Sequence, residues 1–325
     1  MPTPFKSRKK VTVPSAARVE AAGEEASRER AYSWFPGHMR KAMRQLEEQL
    51  SLADIVLLVM DARIPQSSRQ PDLEKMLSLR RKEYIFVLNK ADLADESETK
   101  LWLQALRSEG CHACTLTATS GRGAGPLESV IARLRQTIQI QRQKKGLLSR
   151  DPRIAVAGIP NVGKSSLLNR LAGAVRAKTG ARPGITRGNQ WVAVSGKWQI
   201  LDSPGILYPR IEGEENLTSL VAAGCISTNA VPMEKVGGLM LKRLLELNKQ
   251  REVFAQFPVN LKSEPLELLE QFAQYKNFTL SQGEPDLVRA ATLLLKLFAQ
   301  GQFGRLTLEP CPRKQPPADN NQIAN

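Results

Sequence analysis

Acidic residues are in deficit in this chain, with 32 Asp and Glu against 47 Lys and Arg, a net charge of +15 over 325 residues. A surplus of that size points to a large polyanion as partner, because each neutralised phosphate releases counterions. A merely soluble basic surface would give the same balance. Cysteine is scarce too: the four residues, at 111, 114, 225 and 311, are too few and too scattered for a disulfide framework, which implies a reducing compartment. Cys111 and Cys114 form a C-x-x-C, but no second pair or histidine set follows at zinc spacing, so they read as ordinary residues at a strand start. There is no apolar run of the roughly eighteen residues a membrane span needs. No apolar block follows the N-terminal charges and no lipidation motif is present, which argues against a secretory signal or an acyl anchor. What remains is a chain with 42% apolar residues, enough for a sizeable core and for about two domains.

Residues 1–31 are polar and carry PFKSRKK near the start, with no acidic residue before Glu20. They read as a flexible basic tail. A short transit peptide could occupy only its first part, since acidic residues recur at 20, 24, 25 and 29.

The rest of the chain is arranged around GIPNVGKS, residues 158–165, which follows the apolar run Ile154 to Ala157 and opens into Leu167, Leu168 and Leu171. A strand, then Gly-x-x-x-x-Gly-Lys-Ser, then a helix is the phosphate-binding P-loop. Gly158 and Gly163 let successive N–H groups aim at one point, Lys164 brings a cation to the outer phosphates, and Ser165 offers a hydroxyl to magnesium. Val162, Ser166 and the helix dipole belong to the same cradle. A nucleoside triphosphate is implied, without its base.

The base is read from another stretch. Tyr84 to Leu88 is a strand that runs into Asn89, Lys90, Ala91 and Asp92. The Asp92 carboxylate can accept from both the ring N–H and the exocyclic amine of guanine, a donor pair adenine lacks. Lys90 would pack along the base and Asn89 would tie neighbouring loops together. A helix near 96–108 and a short strand at 114–117 lead to Thr119 and Ser120 in a Gly-rich loop that would back the base. A helix near 126–142 and the connector QRQKKGLLSRDPR precede the P-loop strand.

Beyond the P-loop, PGIT at 183–186 would bring Thr186 to magnesium. Strands near 190–194 and 197–201 end in Asp202, Ser203, Pro204 and Gly205. Asp202 would reach magnesium and the Gly205 N–H the terminal phosphate. Residues 215–308 lose strand patterning and read as helices, including 264–275 and one opened by Pro285 and Asp286, lined by Leu287, Ala291, Leu294 and Phe298, and closed by Gly301. The tail from Pro310 reads as disordered.

In ordinary small GTPases the P-loop comes first and Asn-Lys-x-Asp late. Here the base-reading motifs precede the phosphate-reading ones: the set is complete but cyclically shifted, as in a circular permutation, which nearby termini make tolerable. The second switch then leads directly into the C-terminal helices, which suggests that the gamma phosphate is coupled to their position.

This order, with WFPGHM at 34–39, DARIP at 61–65, NKAD at 89–92, GIPNVGKS at 158–165, PGITRG at 183–188 and DSPGI at 202–206, resembles the YlqF/RbgA family of ribosome biogenesis GTPases over about residues 32–308. Departures are modest: Ser203 in place of the commoner Thr, Thr-Ser in the base-backing loop, and a long basic N-terminal tail. The fold expected is α/β, a circularly permuted P-loop GTPase domain with a mostly parallel sheet (32–212) and a small all-helical RNA-binding domain (213–309), flanked by tails 1–31 and 310–325.

The resemblance implies GTP hydrolysis to GDP with magnesium, in late assembly of the large ribosomal subunit, with the subunit precursor and rRNA as partners. A monomer in the cytoplasm is expected, the alternative being a mitochondrial or plastid matrix. Ile206 stands where many GTPases carry a water-orienting glutamine; the resemblance assigns that role to His38, and a group supplied by the partner is the competing source. It also implies that Asn161 helps hold a potassium ion among the phosphates. Two other readings remain: a signalling or trafficking switch without RNA, and an RNA-binding scaffold with weak GTPase activity.

Overall fold

The computed structural model describes residues 44, 46–173, 191–194, 198–202, 211, 213–227, 231–255 and 257–312, with 191–194 and 202 described by backbone alone. Strand β1 (Ile55–Asp61, IVLLVMD) is buried at every position, the mark of a strand covered on both faces. With β2 (Glu83–Asn89), β3 (His112–Thr115), β4 (Arg153–Ala157), β5 (Trp191–Val194) and β6 (Trp198–Asp202) it forms one six-stranded sheet in the order β3-β2-β1-β4-β6-β5. All neighbours are parallel except β5 and β6.

The strand order places the site. From β1 the chain steps outward to β2 and β3; helix α4 (Ala124–Lys144) then returns it to β4, which pairs with β1 on its free side, and β6 and β5 extend the opposite half. The boundary between β1 and β4 is a topological switch point, and ligands bind open α/β sheets at the carboxyl ends of strands beside such a point. There the registers set Asp61 opposite Asn89 and Val156 opposite Asp202, so the ends of β1, β2, β4 and β6 converge.

Side chains alternate across the sheet. Leu57, Val59, Ile154 and Val156 face an apolar cluster with Leu127 and Ile131 of α4 and Leu167 of α5 (Lys164–Ala172). Val56, Leu58, Met60 and Ala155 face Leu73 and Leu77 of α2 (Pro71–Leu79) and Trp102 and Leu106 of α3 (Glu96–Ser108). Asp95 caps α3, accepting from the N–H groups of Ser97 and Glu98 at 2.9 and 3.3 Å. In the helix leading into β1, Leu46 and Leu50, about one turn apart, are both buried.

Two short helices, α1 (Pro65–Ser68) and α2, occupy a stretch whose two prolines look like breakers in the sequence. Both prolines sit in the first turn, where a missing N–H costs nothing. Strand β3 begins and ends two residues earlier than the expected 114–117, because the Thr117 N–H already donates to the Arg122 carbonyl and turns the chain.

The C-terminal part is helical: α6 (Glu214–Ala222), α7 (Met233–Glu246), α8 (Gln250–Phe254), α9 (Pro265–Tyr275) and α10 (Leu287–Ala299). Asp286 caps α10 by accepting from the Arg289 N–H at 2.9 Å, and Ala291, Leu294 and Phe298 are buried. This bundle and one face of the sheet share a continuous apolar cluster. Helices α7 and α10 approach so closely that a Cβ built on Gly237 would lie 2.5 Å from the Cβ of Ala291. Gly237→Ala is therefore expected to destabilise the fold by about 1–3 kcal/mol, read as a lower thermal midpoint; an unchanged midpoint would mean the helices separate freely. No helix among the described residues is long and apolar enough to cross a membrane.

Candidate nucleotide site

The loop after β4 turns tightly because two of its residues have no side chain. Gly158 has φ +153°, and a Cβ there would lie 2.5 Å from the Val59 carbonyl oxygen; Gly163 has φ +96°, and a Cβ there would lie 2.2 Å from Asn89 Nδ2. Between them Asn161 takes the left-handed region at φ +60°, which asparagine tolerates better than most residues. Its Nδ2 donates to the Gly224 carbonyl just beyond α6. Val162 is fully buried and seats the loop on the core. Lys164 is the first residue of α5, and its Nζ donates to the Ile159 carbonyl at 2.7 Å, which keeps the ammonium over the loop. Ser165 is exposed and Ser166 half-buried in the same first turn, where the helix dipole favours an anion.

Asn89, buried at the end of β2, joins this loop to the base-reading one. Its Nδ2 donates to the Val162 carbonyl at 2.8 Å and its Oδ1 accepts from the Ala118 N–H at 3.0 Å. Helix α5 adds a second link: Arg170 donates to the carbonyls of Ala118 (3.1 Å) and Thr119. Two blocks separated in the chain thus meet along one edge of the sheet. Asp92, Thr119 and Ser120 are exposed there. Lys90 sits at φ +57°, and its Nζ lies 2.9 Å from Asp61 Oδ2. Burial alone would push the Asp61 carboxyl up, but hydrogen bonds and charge from Arg63 and Lys90 outweigh it and hold the group below the usual carboxylate range. Burial pushes the nearby Cys225 thiol up to about 12.

His38, Thr186 and Gly205 lie outside the described residues, as does Ser203. Asp202 is placed by its backbone at the end of β6, beside the P-loop strand.

Several residues around the site carry no motif. After α10 the chain crosses back over the base-reading loop: the Leu306 N–H donates to the Leu93 carbonyl (2.9 Å), the Asp95 N–H to Thr307 Oγ1 (3.0 Å), and the Leu308 N–H to the Arg63 carbonyl (2.9 Å). Trp102 Nε1 donates to the Glu309 carbonyl at 2.8 Å. Arg305 donates to the Asp92 carbonyl at 3.4 Å and to Glu96 at 2.9 Å. Nothing local in residues 301–311 signals this strap. An Asp and an Arg two residues apart at the end of a wholly apolar strand were the available signal for the pair Asp61 and Arg63.

Comparison with known proteins bears on the fold and the family. Residues 153–250 match the family described as 50S ribosome-binding GTPase. Ribosome biogenesis GTPase A of Priestia megaterium is 37% identical over 289 residues, covering 87% of this chain and 98% of that protein. The Thermotoga maritima protein of the same name is 34% identical, covering 85% and 94%. The crystal structure of GNP-bound YlqF from T. maritima superposes with a TM-score of 0.58 at 28% identity, covering 83% of this chain and 98% of that one. By sequence and fold together, the chain belongs to the ribosome biogenesis GTPase A family.

Proposed function

We propose that this chain hydrolyses GTP to GDP as an assembly factor of the large ribosomal subunit, with rRNA of the subunit precursor as its polyanionic partner. The observation that carries the enzyme reading is the Asn89 side chain, which holds the phosphate loop and the base-backing loop in one rigid frame, so a single nucleotide can meet Lys164 and Asp92 together. The relatives' printed names supply the ribosomal context.

Within that frame Lys164, with the N–H groups of Val162, Gly163, Ser165 and Ser166, neutralises charge on the phosphates, and Gly205 reaches the terminal one. Asp92 selects guanine, Lys90 lines its face, and Thr119 and Ser120 back it. The residues proposed for magnesium all carry hard oxygens, which suit that ion: Ser165 in the first turn of α5, Asp202, whose backbone ends β6 beside β4, and Thr186, which lies outside the described residues. Bound by those residues, magnesium would supply charge neutralisation for the phosphates. Asn161 can offer its Oδ1 to potassium while Nδ2 stays on Gly224; hydrolysis rates equal in sodium and potassium buffers would remove that role. The proposed GTPase domain spans 32–212 and the helical one 213–309, and the chain acts as a cytoplasmic monomer.

Co-sedimentation with large-subunit precursors across a salt series is the test. Association in the state loaded with a non-hydrolysable GTP analogue is expected, weaker with GDP and falling steeply with salt. No association in either state would favour a switch without RNA; association indifferent to nucleotide would favour a scaffold.

His38 is assigned the water-positioning role that Ile206 cannot perform. His38→Ala should lower precursor-stimulated hydrolysis about 10²-fold with nucleotide affinity nearly intact. Equal loss of binding would make that histidine structural.

A further inference from the structure

We infer that Arg63 is a positioning residue of the guanine site: through Asp61 it fixes Lys90, and through the carboxyl end of α10 it ties that lysine to the helical bundle. The inference rests on the guanine reading above and adds what sets the site's affinity.

Asp61 ends β1 directly opposite Asn89 and is fully buried. Its Oδ1 accepts from the Arg63 N–H and Nε, both at 3.0 Å; its Oδ2 accepts from Arg63 Nη2 at 2.8 Å and lies 2.9 Å from Lys90 Nζ. A buried carboxylate held by a fork on one side and an ammonium on the other has little freedom left. Lys90 has little either, since its left-handed backbone is a conformation that non-glycine residues keep only when their surroundings hold them there. Within the base-reading motif, the Lys90 ammonium is held by Asp61, a residue of the neighbouring strand.

The other side of the Arg63 guanidinium faces the bundle. Nη1 donates to the carbonyls of Phe298 (2.6 Å) and Ala299 (3.2 Å), and the Phe298 ring lies 4.9 Å from Cζ. Those carbonyls close the last turn of α10, where the helix presents its negative end and a cation is favoured. One planar group thus spans a carboxylate in the sheet and a helix terminus 235 residues later. A lysine could neutralise Asp61 but could not serve both directions at once. Nucleotide affinity and the seating of α10 are then linked, and by equal factors in both directions.

The experiment compares binding of GDP with binding of inorganic pyrophosphate by the full-length chain. Pyrophosphate meets only the phosphate loop, whereas GDP also needs Lys90 and the base-reading loop. Arg63→Lys is expected to weaken GDP about tenfold and leave pyrophosphate unchanged, and to abolish the GDP-dependent slowing of amide exchange in 287–299 expected for the wild type. Phe298→Leu, which leaves the charges in place and removes the ring beneath the guanidinium, should do the same more weakly and non-additively with Arg63→Lys. It carries the test by the same ratio if Arg63→Lys does not fold. Wild-type affinity for GDP, or equal losses of GDP and pyrophosphate, would overturn the inference. A wild-type chain that binds ADP as tightly as GDP would instead remove the guanine reading, and the inference with it.

Discussion

Asp92→Asn is expected to lower affinity for GTP and GDP about 10⁴-fold and to shift preference toward xanthine nucleotides. The carboxylate has two acceptors for guanine's ring N–H and exocyclic amine; an amide keeps one acceptor and turns the other into a donor, which xanthine's second carbonyl satisfies and guanine's amine opposes. The substitution should leave the loop in place, because its backbone is held independently. Arg305 donates to the Asp92 carbonyl, the Leu306 N–H to the Leu93 carbonyl, and the Asp95 N–H to Thr307. Competition of fluorescent GDP by GTP and by XTP gives the answer directly. Undiminished GTP affinity in the variant would show that Asp92 does not read the base.

Lys164→Ala is expected to lower GTP hydrolysis about 10³-fold in single-turnover assays. The ammonium sits in the first turn of α5 and is held over the loop by its bond to the Ile159 carbonyl, so its charge is in place before substrate arrives and costs no reorganisation during the reaction. If the lysine's charge serves the outer phosphates as proposed, the loss should fall on the triphosphate more than on the diphosphate. A variant that hydrolyses GTP at the wild-type rate would require another cation to neutralise the leaving group. Arg170, the nearest arginine on α5, cannot take that place while it donates to Ala118 and Thr119.

Both predictions concern residues legible from the sequence, and the reason is the range over which their signals act. GIPNVGKS and NKAD are contiguous, their chemistry is local, and the strands that deliver them are unbroken apolar runs because helices cover both faces of the sheet. Helix α10 was legible in the same way, from a capping Asp286 and a buried stripe at helical spacing. Even the cyclic shift of motifs could be read, since motif order is a property of the chain alone. Helices α1 and α2 were harder to see, because a proline that opens a helix looks like one that breaks it until the register is known.

The contacts that frame the site belong to another class. Asn89 could be assigned the joining of loops, but its two partners, Val162 and Ala118, are set by the strand order. The strap at 301–311 has no motif, and its hydrogen bonds use main-chain groups that every residue carries. The sequence places the second switch just ahead of the helices and so points to the gamma phosphate as their link to the nucleotide, a coupling whose segment lies outside the described residues; the contacts described here join the helical part to the base-reading loop and, through Asn161 and Gly224, to the phosphate loop. By itself, the sequence determined which nucleotide chemistry this chain can hold, because each cradle is built from residues a few positions apart. Only the tertiary structure decided what holds the cradles to each other and to the helical bundle, because those bonds close between groups as far apart as Arg63 and Phe298, and no local pattern encodes the approach of two such distant segments.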